Sequence, residues 1–251
     1  MARSDELETQ EQAVLRQVLD AYRQGWFPMA TPQPGQDLEG DPEVEWVQPS
    51  RRAIIPLDGR FHVPKSLAQR VRSGRFLVTS DLAFGAVIRN CAAAKRSDGG
   101  AWLVPSIIDV FLSLHKHGHA HSIEAWLASD LAGPAPASDS LHARREILGR
   151  PHVLVGGLYG LALGKVFCGE SMFHNPAQGG TDASKVCLVH LVNHLRKRGF
   201  ELLDAQLAND HTARFGMYEL PRAEYLRMLA RLSRETVGWE PFHGVAPGAP
   251  E

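Results

Sequence analysis

The chain has few cysteines and no long hydrophobic run. Its three cysteines, Cys91, Cys168 and Cys187, are too few and too widely spaced for a disulfide framework or a Cys-x-x-Cys metal site. Its apolar runs all fall short of the roughly 18 residues of a membrane span, and its charged first twenty residues do not resemble a secretory signal. These absences exclude a disulfide-rich secreted domain and a spanning protein, and they favour a reducing, cytoplasmic location.

The chain also lacks an excess of charge of either sign. Its 27 basic and 28 acidic side chains give a formal net charge of -1, which argues against a generally basic nucleic-acid binder. With 44% hydrophobic and 22% charged residues, the composition also excludes disorder and a coiled coil. The charge is nevertheless uneven, because residues 1–45 hold ten acidic against three basic side chains and residues 51–75 hold one against seven. The basic stretch is either an arm that follows a phosphate backbone or a solvated helix face.

Helical and strand patterns alternate along the chain, with a hairpin near the centre. Apolar runs at 153–163 and 166–172 flank Gly164-Lys165, which has the length and chemistry of a hairpin turn. Helices are predicted over 7–24, 64–73, 105–116 and 182–198, and one after a capping Asp81; strands are predicted over 52–57, 76–80, 119–127 and 200–207. Residues 131–150 are expected to form an insertion between two strands. This order predicts the α+β (mixed α/β) class with a mostly antiparallel sheet, divided into a small N-terminal domain, 1–58, and a larger domain, 59–251.

Two conspicuous motifs do not support the function that they first suggest. Gly156 to Gly160 resembles a glycine-rich phosphate loop, but a strand follows it where a dinucleotide-binding loop requires a helix. His115, His117, His119 and His121 are close in sequence, but the helix end predicted at Gly118 separates them, so no pair has the helical spacing of a metalloprotease. We therefore predict no metal site.

Three polar side chains interrupt strongly apolar segments. Asp204 and Gln206 lie two residues apart in a predicted strand, so alternation places both on one face. A charged group in such a run is expensive to bury unless it has a partner or a function. Glu170, at the end of the second hairpin strand, is a third such group. The alternatives are a cleft with a chemical function and a buried salt bridge or cap.

The successive motifs of this chain resemble those of the leucyl/phenylalanyl-tRNA-protein transferase family. They occur in the family order and span most of residues 12–230: Tyr22-Arg23-Gln24-Gly25-Trp26-Phe27-Pro28, Trp102, LHKHGHAHSIEAW, LVGGLYGLALGKVFCGESMF, Ala183-Ser184-Lys185 and LLDAQLANDHTARFG. The resemblance implies a cytoplasmic enzyme whose small N-terminal domain is followed by a larger domain of the acetyltransferase-like (GNAT) class. In that family the donor is aminoacyl-tRNA, and leucine or phenylalanine is moved to a protein N-terminus, marking it for N-end rule degradation.

The resemblance carries several expectations about partners and location. Aminoacyl-tRNA is a co-substrate, no cofactor or metal is needed, and the enzyme is expected to be a cytoplasmic monomer that acts on proteins with a free destabilising N-terminus. N-terminal arginine or lysine is the expected acceptor.

The resemblance also assigns roles to individual residues. Asp204 would activate or orient the acceptor amine, Gln206 would hold the ester or the tetrahedral centre, and Glu170 would line the same cleft. The apolar pocket for the transferred side chain would be formed by Leu158, Phe167, Met172, Leu188, Leu191 and Leu203. The contacts to tRNA would come from Trp46, Trp102, Arg51, Arg52, Lys65, Arg70, Arg72 and Arg75.

The chain departs from the family pattern in places, and these departures keep alternatives open. It has Trp46-Val47-Gln48-Pro49 where many members have two adjacent tryptophans, and Ala205 where cysteine is common. The segment before Ala183 is lengthened. The alternatives are a leucyl transferase for acidic N-termini, another GNAT-like acyltransferase that uses acetyl-CoA or a cell-wall peptide acceptor, and a non-catalytic binder of RNA or of degradation substrates.

Overall fold

The fold is built on one large sheet with helices on both faces. The structure, a computed structural model, describes residues 2–30, 44–94, 103–134, 141 and 143–242. The helices in these ranges are α1 (Ala2–Arg23), α2 (Lys65–Arg72), α3 (Phe84–Ala93), α4 (Pro105–Lys116), α5 (Ala183–Arg198), α6 (Asp210–Ala213) and α7 (Arg222–Leu232). The strands are β1 (Phe27–Ala30), β2 (Val44–Val47), β3 (Arg51–Ile55), β4 (Leu77–Ser80), β5 (Ala120–Ala128), β6 (Arg144–Ile147), β7 (Arg150–Leu163), β8 (Val166–His174), β9 (Leu202–Gln206) and β10 (Tyr218–Pro221).

The large sheet has eight strands and is antiparallel except at one place. Its main order is β10-β3-β9-β8-β7-β5-β4, and β6 also pairs with β7. β8 and β9 are parallel neighbours joined through α5, whereas the other pairs in the sheet are antiparallel. The α+β class with a mostly antiparallel central sheet is confirmed, and it agrees with an acyltransferase-like fold.

The central hairpin forms as its sequence predicts. β7 and β8 pair from Leu163–Val166 outwards, with Gly164-Lys165 as the two-residue connection. Gly164 has a φ of +57°, and a Cβ there would lie 2.4 Å from the carbonyl oxygen of Leu232. Glycine is therefore required at this turn for both its backbone conformation and the close approach of the chain after α7.

Each face of the sheet buries its own apolar cluster. One cluster combines buried residues of α1, α3, α4 and α7 with one set of strand side chains. The other combines buried residues of α5 and α2 with the opposite set. The alternation along the strands decides the division: Cys168 lies in the first cluster, and its neighbour Phe167 lies in the second.

Several local predictions were wrong or incomplete. No strand was predicted directly after the first helix, but Phe27-Pro28 begins the strand β1, which pairs with β2. Asp81 does not cap α3; its carboxylate accepts hydrogen bonds from the backbone N–H of Ser122 and from His121. The predicted insertion at 131–150 contains β6, which pairs with the start of β7, while 135–140 and 142 lie outside the described residues.

The strand β3 lies on the N-terminal side of the predicted domain boundary. It is nevertheless part of the eight-stranded sheet, between β10 and β9. The large sheet thus includes a strand from the range 1–58, and the division at residue 58 stays a prediction. Among the described residues, helices of the length and apolar character needed to cross a membrane are absent.

A buried glutamate supports the region around β5. Glu124 is fully buried, and its carboxyl accepts hydrogen bonds from the hydroxyls of Thr79 and Ser122, both at 2.5 Å. The backbone N–H of Ala83, at the start of α3, donates to the same carboxyl at 3.4 Å. Burial raises the pKa of Glu124 to about 7, although these hydrogen bonds act in the opposite direction.

We expect Glu124→Gln to weaken the pH dependence of folding stability. A glutamate whose pKa rises from 4.5 to about 7 on folding keeps its proton where the unfolded chain has lost it. Stability therefore falls as pH rises across this window, by on the order of 3 kcal/mol for one such group. Urea unfolding at pH 5 and pH 8 measures the change. Equal pH dependence in wild type and variant would contradict this assignment.

Candidate active site

Glu170 and Gln206 lie where two parallel strands separate. β8 and β9 pair from Val166–Leu202 to Cys168–Asp204, the last pair between them. Beyond that pair β8 continues alongside β7, and β9 continues alongside β3. Glu170 and Gln206 each follow the last pair by two residues, so they border the opening between the strands.

A β-bulge makes Glu170 the extra residue on its strand. Tyr159 pairs with Ser171 and Gly160 pairs with Gly169, which leaves Glu170 without a partner on β7. Bulges bend a strand and redirect the side chain of the extra residue, and they are frequent beside active sites. The position of Glu170 is therefore a consequence of the bulge and not of simple alternation.

A second bulge lies between Asp204 and Gln206. Ala53 pairs with Gln206 and Ile54 with Asp204, so Ala205 is the extra residue on β9. Gln206 has a φ of +61°, in the left-handed region, which costs a non-glycine residue about 1–2 kcal/mol. The sequence prediction that alternation alone places both side chains on one face is thus incomplete. The bulge and the left-handed backbone set the position of Gln206.

Asp204 is fully buried, and hydrogen bonds occupy both of its carboxylate oxygens. Arg52 Nε donates to Oδ1 at 2.8 Å and to Oδ2 at 2.9 Å, and Arg52 Nη2 donates to Oδ2 at 2.7 Å. The Tyr225 hydroxyl donates to Oδ2 at 2.8 Å, and the backbone N–H of Gln206 donates to Oδ1 at 2.8 Å. Such a carboxylate is suited to holding its neighbours in place.

Arg52 is buried with Asp204 and does not present its charge at the surface. It is 2% exposed, and its guanidinium lies 4.7 Å from the ring centroids of both Phe27 and Tyr225. Its Nη1 donates to the carbonyl of Gly25 at 3.1 Å. Burial is the largest single effect and lowers the pKa of Arg52, but the negative charge of Asp204, its hydrogen bonds and smaller contributions together outweigh it, so the pKa is raised. This burial argues against the predicted contact between Arg52 and tRNA phosphate, since a phosphate needs an accessible cation.

Glu170 has one oxygen held and one oxygen without a partner. The Tyr22 hydroxyl donates to Oε1 at 2.9 Å. Oε2 is buried and, among the described residues, lacks a hydrogen-bond partner, as does Nε2 of Gln206. The Gln206 amide lies near enough to lower the pKa of Glu170, although Gln206 Nε2 and Glu170 Oε2 do not meet the geometry of a hydrogen bond. Burial has the larger effect and raises the pKa of Glu170 to about 7.

Tyr159 adds a third buried polar atom beside Glu170. Its ring packs edge-on against Phe84 and Phe111, with centroids 5.8 and 5.2 Å away. Its hydroxyl is buried and makes no hydrogen bond within the described part of the chain. Burial, followed by the charge of Glu170, raises the pKa of Tyr159 well above its usual value. A carboxyl oxygen, an amide nitrogen and a hydroxyl are thus buried near the point where the strands separate, and all three lack hydrogen-bond partners among the described residues.

The six residues of the predicted side-chain pocket come together on the α5 face of the sheet. Leu158 and Met172 pair across β7 and β8, and Phe167 and Leu203 pair across β8 and β9. Leu188 and Leu191 come from α5. Five of them are buried members of one cluster, and Met172 packs against it while partly exposed. Their proximity agrees with a pocket and equally with an ordinary core, so the pocket stays a prediction.

The two predicted aromatic contacts to tRNA have different outcomes. Trp46 in β2 is 42% exposed, and its ring meets that of Tyr22 edge-on with centroids 6.5 Å apart. Because Tyr22 binds Glu170, an exposed aromatic face lies beside the site. Trp102 lies outside the described residues.

The predicted basic contacts, Arg52 apart, lie at or near the surface. Arg51 is exposed and pairs with Glu219 at 3.2 Å. Lys65, Arg72 and Arg75 are exposed and Arg70 is partly exposed, and these four have no acidic partner among the described residues. Unpaired cations along α2 agree with a surface that attracts polyanions.

The histidine cluster makes local contacts. His115 Nδ1 lies 2.8 Å from the carbonyl oxygen of Ala120, and His117 Nδ1 lies 2.9 Å from that of Ser113. His121 Nδ1 lies 2.8 Å from an oxygen of Asp81. In the part of the chain that the structure describes, groups of three or more side chains able to hold a metal ion are absent.

Sequence reasoning missed the supporting residues of the site. Tyr22 belongs to one of the motifs that carry the resemblance, which marks it as a residue of interest, but no sequence pattern indicates its hydrogen bond to Glu170. Tyr225 lies in an amphipathic helix and gives no local sign that its hydroxyl reaches Asp204. Tyr159 lies in the glycine-rich motif at 156–160, which was interpreted through its glycines alone.

Comparisons of the sequence with known proteins identify its family. A family model described as leucyl/phenylalanyl-tRNA protein transferase matches residues 54–135 and 146–230. A relative named leucyl/phenylalanyl-tRNA–protein transferase, from Novosphingobium aromaticivorans, is 45% identical over 217 residues, which cover 86% of this chain and 70% of the relative. The matched ranges include Glu170, Asp204, Gln206 and Tyr225. The chain belongs to the leucyl/phenylalanyl-tRNA protein transferase family.

Proposed function

We propose that this chain transfers leucine or phenylalanine from aminoacyl-tRNA to the α-amine of an acceptor protein. The observation that carries the proposal is the proximity of two buried groups without hydrogen-bond partners at the point where β8 and β9 separate. Glu170 Oε2 is a proton acceptor, and Gln206 Nε2 is a neighbouring hydrogen-bond donor. Aminolysis of an ester needs both, one for the amine proton and one for the oxygen that gains negative charge.

The reaction follows from the chemistry of these two groups. The acceptor amine attacks the ester carbonyl carbon, and a new C–N bond forms while Gln206 Nε2 donates to the carbonyl oxygen. Glu170 takes the proton that the amine loses. The C–O bond to the ribose then breaks, and the proton passes to the departing hydroxyl. A base whose pKa is about 7 is well matched to this exchange near neutral pH.

In this proposal Asp204 orients Gln206 and does not take the proton from the amine. Its oxygens are already occupied by Arg52, Tyr225 and the backbone N–H of Gln206. Holding two substrates in the reactive orientation can lower the activation barrier by about 7–11 kcal/mol in favourable cases. Asp204 therefore supports Gln206, and Glu170 is the group that exchanges protons.

The two substrates are assigned to different surfaces. The aminoacyl side chain is placed among the six apolar residues of the α5 face, where Met172 adapts to leucine or phenylalanine because its thioether is flexible. The tRNA is placed along Arg51, Lys65, Arg70, Arg72 and Arg75, with Trp46 stacking on its terminal base. The tRNA is a co-substrate, and the reaction as written uses no cofactor.

The cellular role follows from the same proposal. The acceptors are proteins with a free N-terminal arginine or lysine, and the added residue marks them for degradation by the N-end rule. Because charged tRNA is a cytoplasmic substrate, the proposed location is the cytoplasm. The proposed state of the enzyme is a monomer.

A transfer assay with defined acceptors tests the function. Radiolabelled leucyl-tRNA is incubated with peptides that begin with arginine, lysine, aspartate or glutamate. Labelling of the arginine and lysine peptides supports the proposal, and labelling of only the acidic peptides would correct the acceptor. If every peptide stays unlabelled and coenzyme A binds tightly, the chain is another acyltransferase.

We expect Gln206→Ala to lower kcat about 10²-fold, as the loss of one oxyanion donor does in other acyl-transfer enzymes. KM for both substrates is expected to stay unchanged, because the donor acts on the transition state. Steady-state transfer of leucine at varied peptide and tRNA concentrations separates kcat from KM. A raised KM with an unchanged kcat would instead assign Gln206 to substrate binding.

A further inference from the structure

We propose that Arg52 and Tyr225 are positioning residues of the transfer reaction, acting through Asp204 on Gln206. The inference rests on the proposed function. Together the three side chains Arg52, Asp204 and Tyr225, called here the clamp, fix the backbone of Gln206 in its left-handed conformation. That conformation sets the Gln206 amide beside Glu170.

The clamp joins four separate parts of the fold at one buried point. Arg52 comes from β3, Asp204 from β9 and Tyr225 from α7, and Arg52 also binds the carbonyl of Gly25 after α1. The guanidinium is held between the rings of Phe27 and Tyr225, each 4.7 Å away. Two fixed rings and three donors leave the Asp204 carboxylate little freedom to rotate.

Among the described residues, one hydrogen bond joins the clamp to Gln206. The backbone N–H of Gln206 donates to Asp204 Oδ1 at 2.8 Å, and this bond links the rigid carboxylate to the residue whose φ is +61°. A non-glycine residue adopts this conformation only where its surroundings enforce it. If the carboxylate rotates, Gln206 relaxes toward the extended conformation, and its amide moves away from Glu170.

The pattern of occupied and unoccupied atoms separates this role from direct catalysis. Hydrogen bonds hold both oxygens of Asp204, and Arg52 is 2% exposed. By contrast, Glu170 Oε2 and Gln206 Nε2 have no partner within the described residues. The clamp therefore reaches a substrate only through Gln206.

Tyr225→Phe tests the inference because it removes one hydroxyl and keeps the ring that packs on Arg52. We expect kcat to fall about tenfold, which corresponds to the loss of one hydrogen bond to a charged group, with both KM values unchanged. Tyr218→Phe is the matched control, since the Tyr218 ring also lies 4.7 Å from an arginine, Arg60, but Tyr218 is on β10 and the strand β3 lies between it and Asp204. The control is expected to keep the wild-type kcat.

A double-mutant cycle distinguishes positioning from a purely structural role. If Tyr225 acts through Gln206, adding Tyr225→Phe to Gln206→Ala produces no further loss of kcat. Arg52→Lys, which keeps the charge and changes the geometry, is expected to behave in the same way and tests the clamp without altering α7. Thermal unfolding of each variant reports the folded fraction, and kcat is calculated per folded molecule.

The outcomes separate this inference from the proposed function. An active wild type, a reduced kcat for Tyr225→Phe and non-additive losses with Gln206→Ala support the clamp. An active wild type with an unchanged kcat for Tyr225→Phe, or with losses that multiply, overturns the clamp alone. A wild type that transfers no amino acid overturns the proposed function and this inference with it.

Discussion

Replacing Glu170 with glutamine is expected to reduce kcat for transfer by about 10²–10⁴-fold, the usual contribution of a positioned general base. The substitution preserves the size of the side chain and an oxygen for the Tyr22 hydroxyl, which donates to Glu170 Oε1 at 2.9 Å. It removes the one buried carboxyl oxygen beside Gln206 that lacks a partner among the described residues. Single-turnover transfer of leucine from charged tRNA to an N-terminal arginine peptide measures the loss.

The matched control is Glu124→Gln. Glu124 is also a buried glutamate in the same sheet whose pKa burial raises to about 7, but its partners are Thr79, Ser122 and Ala83. We expect this control to transfer leucine at the wild-type rate. A comparable loss in both variants would show that the effect comes from any buried glutamate and would remove Glu170 from the mechanism.

The pH dependence of the two enzymes adds a second comparison. Below about pH 7 Glu170 is protonated and cannot accept the amine proton, so wild-type transfer is expected to fall there. In Glu170→Gln only the α-amine of the peptide still titrates, near pH 8. The variant profile is therefore expected to lack the wild-type component near pH 7.

Asp204→Ala is expected to destabilise the protein strongly as well as to inactivate it. Removing the carboxylate leaves the guanidinium of Arg52 buried without its counter-charge, and breaking such a pair costs about 3–5 kcal/mol. This is a large share of the roughly 5–15 kcal/mol that stabilises an ordinary domain.

Urea unfolding of Asp204→Ala and Asp58→Ala measures this difference. Asp58 also pairs with an arginine, Arg60 Nη2 at 2.8 Å, but both side chains are exposed. Exposed pairs contribute about 0–1 kcal/mol, so the Asp58 variant is expected to keep nearly all of its stability. Similar free energies of unfolding for the two variants would contradict the burial of the Arg52–Asp204 pair.

The elements of the fold were largely predictable because their patterns are local. The hairpin turn at Gly164-Lys165 and the helix Pro105–Lys116 follow from turn chemistry and apolar periodicity. The strand β1 was missed because Phe27-Pro28 carries a proline, and its pairing with β2 depends on residues far along the chain. The capping role predicted for Asp81 was wrong because its carboxylate binds the distant residues Ser122 and His121.

The identities of the site residues were predictable, but their geometry was not. Asp204, Gln206 and Glu170 stand out because each is polar within an apolar segment. The bulges at Glu170 and Ala205 depend on strand register, which no local pattern specifies here. The burial of Arg52 was not predicted for a similar reason: the charge density of 51–75 favours a surface arm, whereas the ion pair with Asp204 spans 152 positions of sequence.

The proposed activity is the acylation of an acceptor's α-amine with an amino acid from charged tRNA. Mass spectrometry of a peptide that begins with arginine, after incubation with the protein and leucyl-tRNA, tests it most directly. We expect one added leucine at the N-terminal α-amine and none on the same peptide with an acetylated N-terminus. A peptide that remains unmodified, or that gains leucine on a side chain, would contradict it.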